Sequence, residues 1–300
     1  MTSDSQTLIT PSINQFTAAL FSQLMSVMGL KHTSWLSRCL FPFFYIPMRR
    51  MSKMAVMLDR EIADLGWNPA VNHFMRNFVT RLELHGQDGI PAQGPLIVVC
   101  NHPAALDIAI LAAAINRLDL KVLASDIRVV QMLPHVAQHV IPVYYDLSKR
   151  YHTVRSTIRH LESGGAIFLF PRGNAEPDPL VTPGAIKSLA GWSSSVELFL
   201  RKVPQTTSVV AVAYGMLSAG WYKNPLVNVW KKYEQRQKVA EMFQIASQLI
   251  TGRAPAATPT VHFAAPHTLD ELGGIQAPQG ALLLNLVAQE RQMLENIPSK

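Results

Sequence analysis

The chain has 300 residues, of which 48% are hydrophobic, and it carries a formal net charge of +7. This length can bury one large core, and nothing in the composition requires a second one. The positive charge points to an anionic partner, which is a membrane surface, nucleic acid or a phosphorylated substrate. The two cysteines, Cys39 and Cys100, lack metal-ligand spacing, which argues against a cysteine metal site and favours a reduced, cytoplasmic environment.

No apolar run without charges reaches the roughly 18 to 20 residues that a membrane-spanning helix requires. The first six residues include an acid, and no small-residue cleavage site follows a clear apolar region, so a secretory signal peptide is not expected.

Apolar residues recur at helical spacing over residues 16–30 and predict a very apolar helix. Residues 40–47 are almost entirely aromatic or aliphatic and are followed at once by Arg49, Arg50 and Lys53. Aromatic side chains beside a basic cluster are typical of an element that lies in the bilayer interface over anionic head groups. The alternative is that both segments pack on the domain or on a second subunit.

Two more helices are predicted at residues 52–66 and 68–80, the second capped by Asn68 before a proline. The chain is therefore expected to divide into an N-terminal helical, membrane-interface segment at residues 1–78 and an α/β domain at residues 79–300. We expect a peripheral or monotopic protein at the cytoplasmic face of the cell membrane.

Residues 96–100 form a continuous apolar run, which predicts a strand buried on both faces, and residues 104–115 predict a helix. His102 lies at the turn between them, where Pro103 suits the first helical position and makes His102 the N-cap. Asp107 is then close enough to bond the imidazole, fix its tautomer and stabilise its charged form. This is a His-Asp dyad without a serine, so a bound hydroxyl is the expected nucleophile and His102 its general base. The alternative is a structural capping pair.

Residues 101–107, Asn-His-Pro-Ala-Ala-Leu-Asp, resemble the N-H-x4-D motif of the glycerolipid acyltransferase superfamily, whose best-known members are the lysophosphatidic acid acyltransferases. The resemblance implies that His102 and Asp107 are the catalytic residues of an acyl transfer, and it adds Asn101 to the substrate-binding residues. It implies no metal and no cofactor, with acyl-CoA or acyl carrier protein serving as co-substrate.

Strands predicted at residues 121–124, 139–146 and 166–170 alternate with helices. This alternation predicts an α/β fold, a largely parallel mixed sheet flanked by helices on both faces, with an N-terminal amphipathic helical appendage. Ligands of such sheets bind at the carboxyl ends of strands, where His102 and the loop after residue 170 are both expected.

The loop at residues 171–184 contains four prolines and is long for a compact α/β domain, which is typical of a functional loop. It is similar to the family's F-P-E-G-T-R block, but Arg172 replaces the glutamate and Ala175 the arginine. Because the family's block helps to hold the acceptor's phosphate, an equivalent anion site is predicted, with Glu176 as substitute for the displaced carboxylate. Its candidate members are Arg172, the Gly173 amide, Asn174 and Lys187. The alternative is that Arg172 is a solvated loop charge.

Two other family blocks are matched more weakly. In the block that ends in Asp-Arg, Asp146 is retained and the arginine is lost, and Lys149 and Arg150 stand nearby as substitutes. Residues 208–213 resemble the fourth block without its proline. The resemblance covers roughly residues 80–215.

Beyond it, the sequence predicts strands at residues 225–230 and 260–264 and a final helix at 279–296. A helix is also predicted at residues 231–251, whose basic residues favour a solvated surface.

The sequence thus predicts a membrane-associated O-acyltransferase, similar to 1-acylglycerol-3-phosphate O-acyltransferases, that acts in phospholipid biosynthesis. Its expected partners are an acyl thioester donor, a lysolipid acceptor and an anionic membrane surface. No nucleic acid is expected, since no recognition motif accompanies the basic charge. The main alternative is a non-catalytic lipid-binding or scaffold protein that retains the fold. The acceptor, the donor carrier and the oligomeric state are left open.

Overall fold

The computed structural model describes residues 10–27, 33–253 and 257–298. The strands in these residues form one sheet in the order β1-β7-β6-β2-β5-β3-β4. They are β1 (Glu83–His85), β2 (Leu96–Cys100), β3 (Lys121–Ser125), β4 (Val140–Val143), β5 (Ala166–Leu169), β6 (Thr207–Tyr214) and β7 (Thr260–Phe263). All neighbours pair in parallel except β6 and β7. The expected largely parallel mixed sheet is confirmed.

The described helices are α1 (Ile13–Val27), α2 (Trp35–Leu65), α3 (Trp67–Met75), α4 (Asp107–Ile115), α5 (Arg128–Gln131), α6 (Pro134–Gln138), α7 (Arg150–Glu162), α8 (Ala185–Ser188), α9 (Ser195–Lys202), α10 (Ala219–Tyr222), α11 (Tyr233–Thr251) and α12 (Ala281–Glu295).

Strand β2 is the middle strand of the sheet, and its side chains enter the cores on both faces, each of which is covered by helices. Successive side chains of a strand point to opposite faces. Val98 accordingly packs in the cluster that contains Leu111 of α4, whereas Val99 packs in the cluster that contains Phe199 of α9 and Leu286 of α12. Every residue of β2 is buried, as the continuous apolar run predicts.

The N-terminal helices differ from the sequence prediction. The helix expected at residues 16–30 spans Ile13–Val27, and residues 28–30 lie outside the described part of the chain. The aromatic segment and the helix expected at residues 52–66 are one helix, α2, which continues through Pro42 and Pro47. Each proline removes one backbone donor, but contacts with α1 and α3 outweigh this local preference.

Part of the N-terminal segment belongs to the core of the sheet. Ile62 of α2 and Trp67 and Val71 of α3 pack in the same cluster as Val98 of β2. The domain boundary between residues 78 and 79 stays a prediction. Helices on its N-terminal side pack against the sheet on its C-terminal side. No helix in the described ranges is long and apolar enough to cross a membrane.

Three predicted features are wrong: the starts of two helices and one strand. Helix α4 begins at Asp107, so Pro103 is not at its first position and His102 is not its N-cap. Glu176, Gln237 and Glu241 bond backbone groups of residues 102–105 and hold this turn outside the helix. Helix α3 begins directly after Gly66, and the Asn68 amide instead donates to Asn116 Oδ1 at 2.9 Å.

The strand expected at residues 225–230 is also wrong. Pro225–Val227 is a single 3₁₀ turn, because the Asn224 side chain accepts the amide of Leu226 and the proline suits the first turn.

Candidate active site

His102 and Asp107 form a close pair at the carboxyl end of β2. His102 Nδ1 lies 2.9 Å from Asp107 Oδ2 and 3.1 Å from Oδ1. Asp107 is fully buried, and its carboxylate also accepts the backbone amide of Ala104 at 3.0 Å. The imidazole stacks on the Phe170 ring, with centroids 4.0 Å apart. Since Nδ1 faces Asp107, Nε2 is the nitrogen left for a ligand.

Helix α4 explains why the carboxylate of this pair is stable in a buried position. Asp107 is its first residue, and an acid at a helix N-terminus interacts favourably with the helix dipole. The preceding turn, residues 101–106, is compact because Asp107 accepts the Ala104 amide within it. The pair is therefore set by a short loop that joins β2 to α4.

Glu176 holds the backbone of His102 from the neighbouring loop. Its amide donates to the His102 carbonyl at 2.7 Å, and its Oε2 accepts the His102 amide at 3.0 Å. Oε1 accepts from Ser188 Oγ at 2.9 Å and from Trp192 Nε1 at 3.3 Å. Glu176 is buried, so the structure places this predicted substrate-binding residue beneath the loop, where it fixes His102.

Asn101 is likewise fixed within the fold. Its amide donates to the Ala213 carbonyl at 2.9 Å, and its side-chain oxygen accepts the Ala213 amide at 2.7 Å. This predicted substrate contact therefore ties the end of β2 to the end of β6.

The pKa values of the central groups reflect burial and crowding of carboxylates. Burial alone would lower the pKa of His102, but the charge and hydrogen bond of Asp107, with the charges of Glu241 and Glu176, raise it above its usual value. Burial raises the pKa of Glu176, and its donors Ser188 and Trp192 act in the opposite direction. A proton on His102 is thus stabilised by several acids.

Arg172 is ion-paired with helix α11. Its Nη2 lies 2.9 Å from Glu234 Oε1, and Nη1 donates to the Ala175 carbonyl at 2.5 Å. The guanidinium side chain is about one-fifth exposed. The next residue, Gly173, has a φ of 68°, in the left-handed region that favours glycine, and Asn174 beside it is exposed. Arg172 is therefore an ordered loop cation with one carboxylate partner.

The other predicted cations lie farther from the dyad or are turned to solvent. Lys187 is exposed on α8, next to the Ser188 that bonds Glu176. Lys149 and Arg150 follow β4, which is separated from β2 by β5 and β3. Three strand spacings, about 14 Å, separate the end of β4 from the end of β2.

Sequence reasoning missed the contribution of helix α11, which it assigned to a solvated surface. One face of α11 carries five polar residues, Glu234, Gln237, Glu241, Gln244 and Gln248. The first three of these five contact the loops of the site. The last four are buried. Their separations of three and four residues place them on one helical face, and this polar stripe was the available signal.

A comparison with known protein families agrees with the resemblance given by the sequence motifs. The family model described as Acyltransferase matches residues 81–214. Residues 81–214 are therefore similar to the acyltransferase family. The match lies at nearly the bounds given by the motifs and confirms the assignment to the glycerolipid acyltransferase superfamily. It contains His102, Asp107, Arg172 and Glu176 and ends before α11.

Among solved structures, the chain is similar to the crystal structure of the 1-acyl-sn-glycerophosphate (LPA) acyltransferase PlsC from Thermotoga maritima. The two share 12% sequence identity with a TM-score of 0.44, over 96% of this chain and 99% of that one. No curated protein sequence matches the chain.

Proposed function

We propose that this acyltransferase moves a fatty acyl group from acyl-CoA or acyl carrier protein to the hydroxyl of a lysophospholipid or glycerol-phosphate-type acceptor, in phospholipid biosynthesis. The observation that carries the proposal is the His102–Asp107 pair. Its carboxylate is buried and satisfied, its Nδ1 is engaged, and Nε2 remains for a substrate hydroxyl. Within the described residues, no serine or cysteine is hydrogen-bonded to the ring, so the acceptor supplies the nucleophile.

The chemistry needs only a base, an orienting acid and a bound hydroxyl. His102 Nε2 takes the hydroxyl proton while the acceptor oxygen forms a bond to the thioester carbonyl carbon. The tetrahedral intermediate collapses, the carbon–sulfur bond breaks, and the leaving thiolate takes the proton from His102. The products are an oxygen ester and a free thiol. Asp107 stabilises the imidazolium that forms between the two steps and holds its tautomer.

Arg172 is the proposed first contact of the acceptor's phosphate, supported by the amide of Gly173 and by Asn174 and Lys187. A guanidinium can bind two phosphate oxygens at once. Glu234 already neutralises part of this charge, so an acceptor phosphate competes with or extends an existing ion pair. Lys149 and Arg150 are the proposed contacts for more distant phosphates of the donor or acceptor.

Helix α2 is the proposed contact with an anionic membrane surface. Trp35 and Phe43 leave about three-quarters of their surface exposed, and Tyr45 and Ile46 beside them are exposed as well. Lys53 is exposed on the same helix. Large aromatic side chains near cations suit the interface between lipid tails and head groups.

The test is a product assay with purified protein, mixed lysolipids and isotopically labelled acyl-CoA or acyl carrier protein, with products identified by mass. We expect a new ester of one lysolipid class, and none from the His102→Ala variant. His135→Ala is a matched control, because His135 Nδ1 also lies 3.1 Å from a buried carboxylate, Asp59, elsewhere in the fold. Lysolipid binding without any ester product from wild type would support the non-catalytic alternative instead.

A further inference from the structure

Helix α11 lies outside the residues matched by the family model, yet it contacts both loops of the proposed site. Gln237 donates to the carbonyls of Pro103 and Glu176 at 2.7 and 2.8 Å, and its oxygen accepts the Asp178 amide at 3.2 Å. One buried side chain thus joins the loop that carries His102 to the loop that carries Glu176.

One turn further along α11, Glu241 reaches the same loop with a carboxylate. Its Oε1 accepts the backbone amide of Ala105 at 2.6 Å, and the residue is about nine-tenths buried. Ala105 lies between His102 and Asp107, in the turn that places the imidazole against its acid. The hydrogen bond alone could be made by a glutamine, so a buried negative charge at this position needs its own explanation.

We infer that Glu241 is a positioning residue of the acyltransferase site, which holds the turn between His102 and Asp107 through the Ala105 amide and places a further negative charge toward the imidazole. This inference rests on the proposed function, because it assigns Glu241 a role in setting the protonation of the base. Glu241 acts through the loop and through its charge, without contact to the reacting atoms.

The electrostatics agree with this geometry. Burial raises the pKa of Glu241 to about 7, its hydrogen bond from Ala105 and the charge of His102 lower it, and the charge of Asp107 raises it. The charge of Glu241 in turn raises the pKa of His102. Arg50 of α2 also packs on α11, but its guanidinium donates to the carbonyls of Leu249 and Ile250 at the far end of the helix. Glu241 therefore titrates in the range where His102 must lose its proton to act as a base.

Replacement of Glu241 by glutamine separates the two roles, since the amide oxygen can still accept the Ala105 amide while the charge is lost. We expect the Glu241→Gln variant to lower the pKa of His102 and to shift the acidic limb of kcat/KM to lower pH by on the order of half a unit. Its kcat at the alkaline plateau stays within about threefold of wild type. Glu241→Ala loses the hydrogen bond as well, and its plateau kcat falls by about tenfold or more.

A second measurement needs no turnover. The pKa of His102 is read by NMR titration of the protein with labelled histidine, and the His102 signal is assigned by its absence in the His102→Gln variant. A pKa of His102 that is unchanged by Glu241→Gln would overturn the inference. If wild type transfers no acyl group but the NMR shift occurs, the proposed function fails and the link between Glu241 and His102 stands.

Gln244→Ala is the matched control on the same helical face. Gln244 bonds the Ser218 amide at 2.8 Å and the Met216 carbonyl at 3.0 Å, away from the dyad, and it carries no charge. We expect this variant to lower the melting temperature and to leave the His102 pKa unchanged. An equal shift in His102 pKa would mean that loosening of α11 suffices, and it would overturn the role given to the charge.

Discussion

His102 and Glu176 are joined by two backbone-directed hydrogen bonds of opposite sense: the Glu176 amide donates to the His102 carbonyl, and the Glu176 carboxylate accepts the His102 amide. The two residues are 74 positions apart in the sequence. This pairing fixes the main chain of the proposed base independently of its ring, which Asp107 orients.

Each carboxylate oxygen of Glu176 meets a group that can only donate, and this leads to a first prediction. The His102 amide bonds Oε2 and Trp192 Nε1 bonds Oε1, so the NH₂ group of a glutamine would face a donor in either orientation. We expect Glu176→Gln to lower kcat about tenfold or more and stability by about 1–3 kcal/mol. Ser188→Ala, which removes one donor and keeps the carboxylate, is the milder control. Chemical denaturation and initial rates measure both effects, and a wild-type kcat in Glu176→Gln would contradict the positioning role.

The dyad itself gives the second prediction. His102→Ala is expected to lose on the order of 10²–10⁴ in kcat, because nothing else in the turn can accept the proton. Both oxygens of Asp107 lie within 3.1 Å of His102 Nδ1, so Asp107→Asn brings an NH₂ group to that nitrogen and removes the charge that stabilises the imidazolium. Its loss of kcat is therefore also large. Initial rates on one acceptor measure both. Wild-type activity in Asp107→Asn would leave Asp107 as a helix-start residue only.

The ion pair of Arg172 with Glu234 gives the third prediction, which tests the proposed acceptor site. If Arg172 binds the acceptor phosphate, Glu234→Gln removes a competing anion and lowers the KM for the acceptor, while Arg172→Lys and Arg172→Ala raise it. The KM for the thioester is the internal control. If the acceptor KM stays constant in all three variants and only the melting temperature falls, the pair serves to hold the loop on α11.

Glu290 of α12 gives a fourth prediction, on stability. It is fully buried, and neither carboxylate oxygen makes a hydrogen bond of normal geometry among the described residues. Burial, with the charge of Glu176, raises its pKa well above the usual value, although the nearby Asn101 backbone amide acts in the opposite direction. A raised folded-state pKa means that stability is lost as pH rises above the unfolded value near 4.5. Glu290→Met should therefore be more stable than wild type by about 1–3 kcal/mol at pH 8 and by less near pH 5. Thermal unfolding across this range measures the difference, and a constant difference would contradict the assignment.

The exposed aromatics of α2 give the fifth prediction. The double variant Trp35→Ser and Phe43→Ser should lose co-sedimentation with vesicles of phosphatidylcholine and phosphatidylglycerol while keeping its melting temperature, since both side chains are mostly exposed. Leu118→Ser is the control, because Leu118 is equally exposed but lies outside α2, in the loop between α4 and β3. Unchanged vesicle binding of the double variant would place the membrane contact elsewhere.

Local patterns in the sequence determined the sheet and the dyad. The apolar run of β2 is a strand covered on both faces, and the five-residue step from His102 to Asp107 brings the ring to its acid, because both depend on neighbours within one short stretch. The order of strands and helices likewise follows from alternation along the chain. Even so, the start of α4 was misplaced, since distant side chains hold the turn before it.

Only the tertiary structure decided which distant side chains support that turn. Glu241 lies 136 positions from Ala105, and Gln237 lies 134 positions from Pro103, so no local pattern pairs them. On α11, glutamines and a glutamate form the buried face, and on α12 Glu290 occupies the face that carries Leu286 and Leu294. From the sequence alone, polar residues on a helix are predicted to face solvent. The polar residues of α11 are buried because backbone groups of the neighbouring loops need partners, and the fold brings this helix to them.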